Sequence, residues 1–443
     1  MNGESVKIAI VGLGTVGTGL VKMLEQNRQT IRTRCGVDLE LRAILVHDTR
    51  KKRAVKLPSG IVTADRAAIL DDPKIDIVVE LIGGTTAAAE IVTEALRRGK
   101  HVVTANKALL AERWGELLSL ARRHGCAIQF EASVMAGVPV LRALNEGLAG
   151  NAIESMLGVL NGTTNFILTR IVADKLDYRA ALKQAAAKGL AERDPSLDVE
   201  GIDPAYKLSI LSSIALGQWL PPQAVYREGI TKLETKDIQY ARELFDYQPK
   251  LLAIFKHKGH KVEARVHPAF LPASHPLAAV IDEYNAVYIT ARPVGSIMLY
   301  GRGAGASSAA SAVASDIIQL ARAVSSGVAG RVLTSVAFDG KTVEPVSIDD
   351  VRSKCYLRFT TADRPGVLSR ISGAFGEQGV SIESVYQHVR DPREGADIVM
   401  VTHEALDGAV RRACDHVVRM KDIVRRAPTL IRIEEENHAA GRD

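Results

Sequence analysis

The side chains best suited to moving a proton crowd one stretch of the chain. In KGLAERDPSLDVEGIDPAYKLSIL, residues 188–211, Glu192, Asp194, Asp198, Glu200 and Asp203 fall on a loop that ends in Asp-Pro and opens an apolar helix. The spacing makes Asp203 the N-cap, Pro204 the first helical residue and Lys207 a neighbour one turn on along the same face. An ammonium held among carboxylates can accept, donate or polarise. Drawing hydride from an alcohol needs such a group when no metal assists the hydroxyl proton's departure. A solvated acidic loop with one capped helix is the alternative, and the DxDxDG spacing of a calcium-binding EF-hand is absent.

A second chemistry is written at the start. VKIAIV runs into GLGTVG, with Gly12, Gly14 and Gly17 placed for a tight turn, for close approach of backbone to a pyrophosphate and for packing of helix on strand. Thr15 and Val16 then open a helix whose free N–H groups suit the phosphates. A tight turn without ligand is the alternative. Further on, Asp48 suits a ribose 2′-hydroxyl, while Arg50, Lys51, Lys52, Arg53 and Lys56 suit a 2′-phosphate. The cations outnumber the acid and favour NADP over NAD, with a solvated basic loop as the other reading. The acid also comes later than the usual ~20 residues after the glycines, which calls for a longer first helix and loop.

These groups need a scaffold. Short β-branched runs at residues 6–11, 39–46, 77–80, 101–105 and 127–130 alternate with helical patterns such as 107–124, which predicts a parallel sheet with helices on both faces. From residue 153 the texture turns α+β, with helices over 178–189 and 205–217, strands near 264–267 and 286–291, and a helix over 309–323 that returns to the first domain. Residues 326–350 read as a linker. Beyond it, strand, helix, two strands joined through a turn at 391–395, helix and closing strand give βαββαβ, the ferredoxin-like order. The expected fold class is α/β: a Rossmann domain over 1–140, an α+β catalytic and dimerisation domain over 141–325, a small separate domain over 351–434 and a tail over 435–443.

Composition narrows the function classes. The 443 residues are 47% hydrophobic, 24% charged and 5% aromatic, which excludes collagenous, low-complexity and disordered chains. A net charge of +6 without an aromatic-interleaved basic stripe argues against nucleic acid. No apolar run approaches the ~18 residues of a membrane span, and no signal peptide precedes the first strand, so the cytoplasm is expected. Cys35, Cys126, Cys355 and Cys414 lie too far apart for a zinc motif or a disulfide framework.

Six motifs, GLGTVG, TANKALL (104–110), EASVMAGVP (131–139), NGTTNFIL (161–168), AERDPSLDVEGIDPAYKL and GRGAGASSAASAV (301–313), together resemble the homoserine dehydrogenase family over residues 5–325. The resemblance implies reversible NAD(P)-dependent interconversion of L-homoserine and L-aspartate 4-semialdehyde on the route to threonine and methionine, by a homodimer or homotetramer. Under it, Lys207 is the acid–base lysine held by Asp203, and Lys107 lies between nicotinamide and substrate. Glu192 and Asp198 receive the substrate's amino group, and Thr163 lines its pocket. Ala105, Gly189 and Gly305 join the glycine loop and Arg50 around the cofactor. Glu131 with the carbonyls of Val134, Ala136 and Val138 forms a monovalent-cation site suited to Na+. Three positions depart from the family's pattern. Leu190 replaces a common aromatic, MAG stands for AGG, and His47 stands where arginine is frequent, which weakens the NADP reading.

TTADRPGVLSRISGAFGEQGVSIESV resembles an ACT domain, and implies threonine as effector beside Asp363, Gly366 and Val367, at a seam where two such modules meet edge to edge. A chain ending near Val351 is then expected to stay active and lose inhibition. Two rivals remain: another oxidoreductase of amino-acid semialdehydes, and a catalytically inactive sensor of nucleotide and amino acid. The Lys107, Glu192, Asp203 and Lys207 set argues against the sensor, which has no need of proton transfer.

Overall fold

VKIAIV is too β-branched for a helix and is buried at five of its six positions, as a central parallel strand must be. The computed structural model describes residues 5–329, 337–391, 395–424 and 426–435. Parts of the expected linker, turn and tail, namely 330–336, 392–394 and 436–443, lie outside the described residues.

The chain runs β1 (Val6–Val11), α1 (Thr15–Gln26), α2 (Arg28–Cys35), β2 (Leu39–Leu45), β3 (Val62–Thr63), α3 (Ala67–Leu70), β4 (Ile77–Glu80), α4 (Ala87–Arg97), β5 (His101–Thr104), α5 (Lys107–Arg123), β6 (Ile128–Gln129) and α6 (Val140–Arg142). There follow β7 (Ala152–Val159), α7 (Gly162–Asp174), α8 (Tyr178–Ala187), α9 (Ser196–Val199), α10 (Ile202–Leu216), β8 (Tyr226–Arg227), α11 (Thr235–Phe245), β9 (Tyr247–Lys258), β10 (Lys261–Pro272), β11 (Tyr284–Arg292), β12 (Gly295–Arg302) and α12 (Ala306–Ser325). The last stretch holds β13 (Arg352–Thr361), α13 (Val367–Glu377), β14 (Ile382–Asp391), β15 (Gly395–Thr402), β16 (Ala405–Leu406), α14 (Asp407–Arg419) and β17 (Thr429–Ile433). No helix among the described residues is long and apolar enough to cross a membrane. All four cysteines are buried free thiols.

Two compact units interleave along the sequence. Met1–Ile153, Tyr206–Ala224 and Thr290–Val343 form the first; Glu154–Ala205, Val225–Ile289 and Glu344–Asp443 form the second. The first holds six parallel strands in the order β3-β2-β1-β4-β5-β6, the doubly wound arrangement that puts ligand sites at strand C-terminal ends. Val313, Ile317 and Leu320 of α12 share one core with Ile8, Ile10 and Leu20. Small residues permit the approach: a Cβ on Gly19 of α1 would lie 3.2 Å from the Ala306 carbonyl oxygen.

In the second unit the strands follow β11-β7-β9-β10-β17-β13-β15-β14. The last four, with α13 and α14, make the expected ferredoxin-like module, but it does not stand alone. β17 pairs in parallel with β10 through Ala269↔Arg432 and Phe270↔Ile433, so one edge of the module is already occupied. Tyr240, Tyr247 and Phe270 share a core with Tyr356, Val401 and Ile433. Charge is buried along the same seam. Arg358 grips Asp237 through Nε and Nη2, Arg432 holds Asp407 at 2.7 Å and Glu228 at 3.2 Å, and Glu434 accepts from Lys256 at 2.9 Å. A strand edge carries unpaired N–H and C=O groups, and β10 supplies their partners. A chain ending near Val351, expected to stay active and lose inhibition, would leave this edge of β10 without its β17 partner.

Candidate active site

In the first unit the glycine loop is required twice by sterics and is open once. A Cβ on Gly12, at φ +100°, would fall 2.8 Å from Ile82, and one on Gly17 would fall 2.3 Å from the Gly12 carbonyl oxygen. A Cβ on Gly14 meets nothing within 4 Å. Gly14 is also the N-cap of α1, with no side-chain cap and no acidic residue in the first turn at Thr15, Val16 and Gly17. Open space above an uncapped helix N-terminus fits a pyrophosphate. Beyond β2, Asp48 Oδ1 accepts from Arg50 N at 2.8 Å and so braces its own turn, while Arg50, Lys51 and Lys52 are exposed.

The strand ends next to this loop are cross-linked by Glu80, which is fully buried. Its Oε1 accepts from Ile82 N at 2.8 Å and Gly83 N at 3.0 Å, and its Oε2 accepts from Thr104 Oγ1 at 2.6 Å. Asn106 donates to the Gly84 carbonyl at 2.6 Å and caps α5 by accepting from Leu109 N at 3.1 Å. Ala105 precedes this cap and Lys107 follows it, at the positive end of α5. Tyr206 donates to Glu112 Oε1 at 2.9 Å, and Trp219 Nε1 to the Ala111 carbonyl at 2.9 Å, which ties α10, carrying Lys207, to the helix that Lys107 begins. Lys207 is 8% exposed. Gly305, at φ +118°, caps α12 in a conformation that only glycine adopts readily.

In the second unit one amide joins two carboxylates. Asn161 Nδ2 donates to Asp198 Oδ1 at 2.6 Å and to Asp203 Oδ2 at 2.8 Å, while its Oδ1 caps α7 by accepting from Thr164 N at 2.9 Å. Asp203 is thus not the N-cap expected for α10. The helix starts at Ile202 because Gly201, at φ +76°, turns the chain one step earlier, and its carbonyl accepts from Ala205 N. Thr163 Oγ1 donates to the Leu190 carbonyl at 2.9 Å, just after Gly189 at φ +72°. Glu192 stands exposed on the loop before α9. The reading from sequence missed Asn161, Glu80 and Asn106. An Asn before a helix and an acid closing a strand were the available signals.

Glu131 is 6% exposed and accepts from Leu141 N and Arg142 N, both at 2.9 Å, so it caps α6. Burial pushes its carboxyl above the usual range despite those two bonds. Its own N–H donates to Asp316, whose carboxyl burial pushes up to about 8. Of the carbonyls at Val134, Ala136 and Val138, the last already accepts from Val140 N at 2.7 Å. Each acceptor oxygen keeps a second lone pair, so the set fits a weakly held hard cation. In the C-terminal module, Gly366 at φ +88° caps α13, Val367 is buried, and Asp363 Oδ1 accepts from Gln387 at 3.2 Å.

A doubly wound sheet with a glycine cradle, in a chain that also carries paired carboxylates and two lysines, defines a dinucleotide-dependent oxidoreductase. The profile described as homoserine dehydrogenase matches residues 139–318, that of the homoserine dehydrogenase NAD-binding domain matches 12–131, and that of the ACT domain matches 356–413. A homoserine dehydrogenase of Bacillus subtilis is 39% identical over 90% of this chain and 92% of its own length; one of Neisseria gonorrhoeae is 40% identical over 97% and 99%. The solved homoserine dehydrogenase of Thiobacillus denitrificans superposes with a TM-score of 0.91 at 38% identity, covering 98% of this chain and 99% of that one. A hyperthermophilic archaeal homoserine dehydrogenase in complex with NADPH gives 0.61 at 29%, covering 71% and 97%. The chain belongs to the homoserine dehydrogenase family of oxidoreductases and carries a C-terminal ACT domain.

Proposed function

We propose that this chain interconverts L-homoserine and L-aspartate 4-semialdehyde with NADP in preference to NAD, on the route to threonine and methionine. The observation that carries the reading is the Asn161-bridged pair Asp198 and Asp203, with Lys207 four residues further along α10. Bound nicotinamide supplies or accepts the hydride. Lys207 takes or returns the proton of the substrate's hydroxyl oxygen, and Asp203 keeps that ammonium placed. Lys107 polarises the same oxygen. A cation in a helix's first turn costs roughly 0.3–1 kcal/mol, so α5 has no stability reason to start with one. Asp198 and Glu192 hold the substrate's ammonium, and Thr163 borders it.

Gly12, Gly14, Thr15, Val16, Gly17, Ala105, Gly189 and Gly305 cradle the dinucleotide. The exposed cations from Arg50 onward favour NADP, the reduced form of which the archaeal relative binds. Glu131 with the carbonyls of Val134, Ala136 and Val138 offers a weak Na+ site. Threonine is the effector of the ACT domain, and the functional form is a homodimer or homotetramer. The test is steady-state turnover of the full chain with L-homoserine and each cofactor. Turnover with homoserine and a lower KM for NADP are expected; no oxidation of homoserine with either cofactor sinks the proposal.

A further inference from the structure

A polar cavity of about 900 Å3 opens in the second unit, between the strap that follows β8 and the chain leading into β17. Its charged lining is balanced. Glu200, Glu228 and Glu234 face Arg227, Lys232 and Arg411, so a simple anion or cation meets as much repulsion as attraction. A zwitterion satisfies both sets. At the inner end, Arg411 is fixed before any ligand arrives: Nε binds Asp407 Oδ2, and Nη2 binds Glu228 Oε1 at 3.0 Å and the Tyr226 hydroxyl. Its Nη1 enters no hydrogen bond among the described residues, and the side chain is 40% exposed. A guanidinium held this way is prepared for a carboxylate.

The strap also touches the acid loop through its backbone. A Cβ on Gly229 would lie 2.4 Å from the Val199 carbonyl oxygen, Ile230 N donates to that oxygen at 2.8 Å, and Thr231 Oγ1 donates to Glu200 Oε1 at 3.1 Å. Val199 and Glu200 directly follow Asp198 and precede Asp203.

We propose that this cavity is a regulatory site for a free amino acid, whose carboxylate meets Arg411 and whose ammonium meets the facing carboxylates, and that its occupancy shifts Asp198 and Asp203 through residues 229–231. The site is distinct from the Asp363 turn. The proposal rests on the reading above only for the role of those two acids.

The test is calorimetric titration of the full chain, without substrate or cofactor, using L-threonine, L-isoleucine and L-methionine and the carboxamide of each. At least one amino acid binds saturably, and its carboxamide, lacking the carboxylate, binds at least about tenfold more weakly. Arg411→Gln weakens binding by about the same factor, Thr231→Trp weakens it by filling the cavity from an exposed position, and the binding step lost in those two variants persists in Asp363→Ala, whatever becomes of a second step at the Asp363 turn. Should Arg411→Gln fail to fold, Thr231→Trp decides. The proposal is overturned if no amino acid binds at millimolar concentration, if the two cavity variants bind normally, or if Asp363→Ala alone abolishes binding. Because binding is read without turnover, failure to oxidise homoserine counts against the proposed activity alone.

Discussion

Asn161 does two things, and one substitution separates them. Serine keeps the α7 cap but has no amide to hold both carboxylates. Asn161→Ser is therefore expected to lower the thermal midpoint only by what the two carboxylates lose, with α7 still capped, and to lower kcat/KM for homoserine at least about tenfold, since a buried charged group loses a hydrogen bond. An unchanged kcat/KM would mean that the bridge has no part in substrate handling. Lys207→Ala and Lys107→Ala should each lower kcat by about 10² or more with the fold intact, the usual worth of acid–base assistance. Lys250 gives a pH test. Buried on β9, it donates to Asn165 Oδ1 at 3.3 Å, and burial pulls its ammonium down to about 8 from 10.5. The unfolded chain binds the extra proton between these values, so the cost of burying the charge is present in full below pH 8 and relieved as pH rises toward 10.5. Thermal melts should show wild type gaining stability across that window relative to Lys250→Met; parallel curves would refute the assignment.

At the scale of elements, the glycine loop sorts its own residues. Gly14 has φ −81° and open space at its Cβ, so Gly14→Ala should fold normally and raise the cofactor KM. Gly17→Ala drives a methyl into the Gly12 carbonyl and should lower the thermal midpoint sharply. Equal effects from both would show that the open space is not where the cofactor approaches. These elements were legible because periodicity and glycine spacing are local signals: VKIAIV and IVVE could be nothing but buried strands. The start of α10 falls two residues before the expected Pro204 because the conformation of Gly201 competes with the capping preference of Asp203, and sequence does not say which prevails. Asn161 and Glu80 escaped because an amide and a lone strand-end acid are common, and their partners become visible only when loops tens of residues apart are brought together.

The whole molecule shows what sequence conceals most, the seam at β10 and β17. Arg358 and Asp237 stand 121 residues apart and both are buried, as is Arg432 with Asp407. Nothing in either local pattern announces the pairing. Removing one member of such a pair leaves a buried charge unmatched, so Asp237→Ala should cost about 3–5 kcal/mol, read by chemical denaturation. A chain ending near Val351 exposes Asp237, Glu228 and the β10 edge at once. It is expected to aggregate rather than remain an active, insensitive enzyme, and a soluble, active truncation would refute the argument.

The interleaving of the two units also fixes an order of events during synthesis. The sheet of the first unit has its strands by residue 153, yet α12, which covers Ile8 and Ile10, begins only at residue 306. A ribosome adding about 5–20 residues per second leaves that apolar face bare for roughly 8–30 s. A nascent chain in this state carries exposed apolar surface that is prone to aggregate, and slower or colder translation lengthens that exposure.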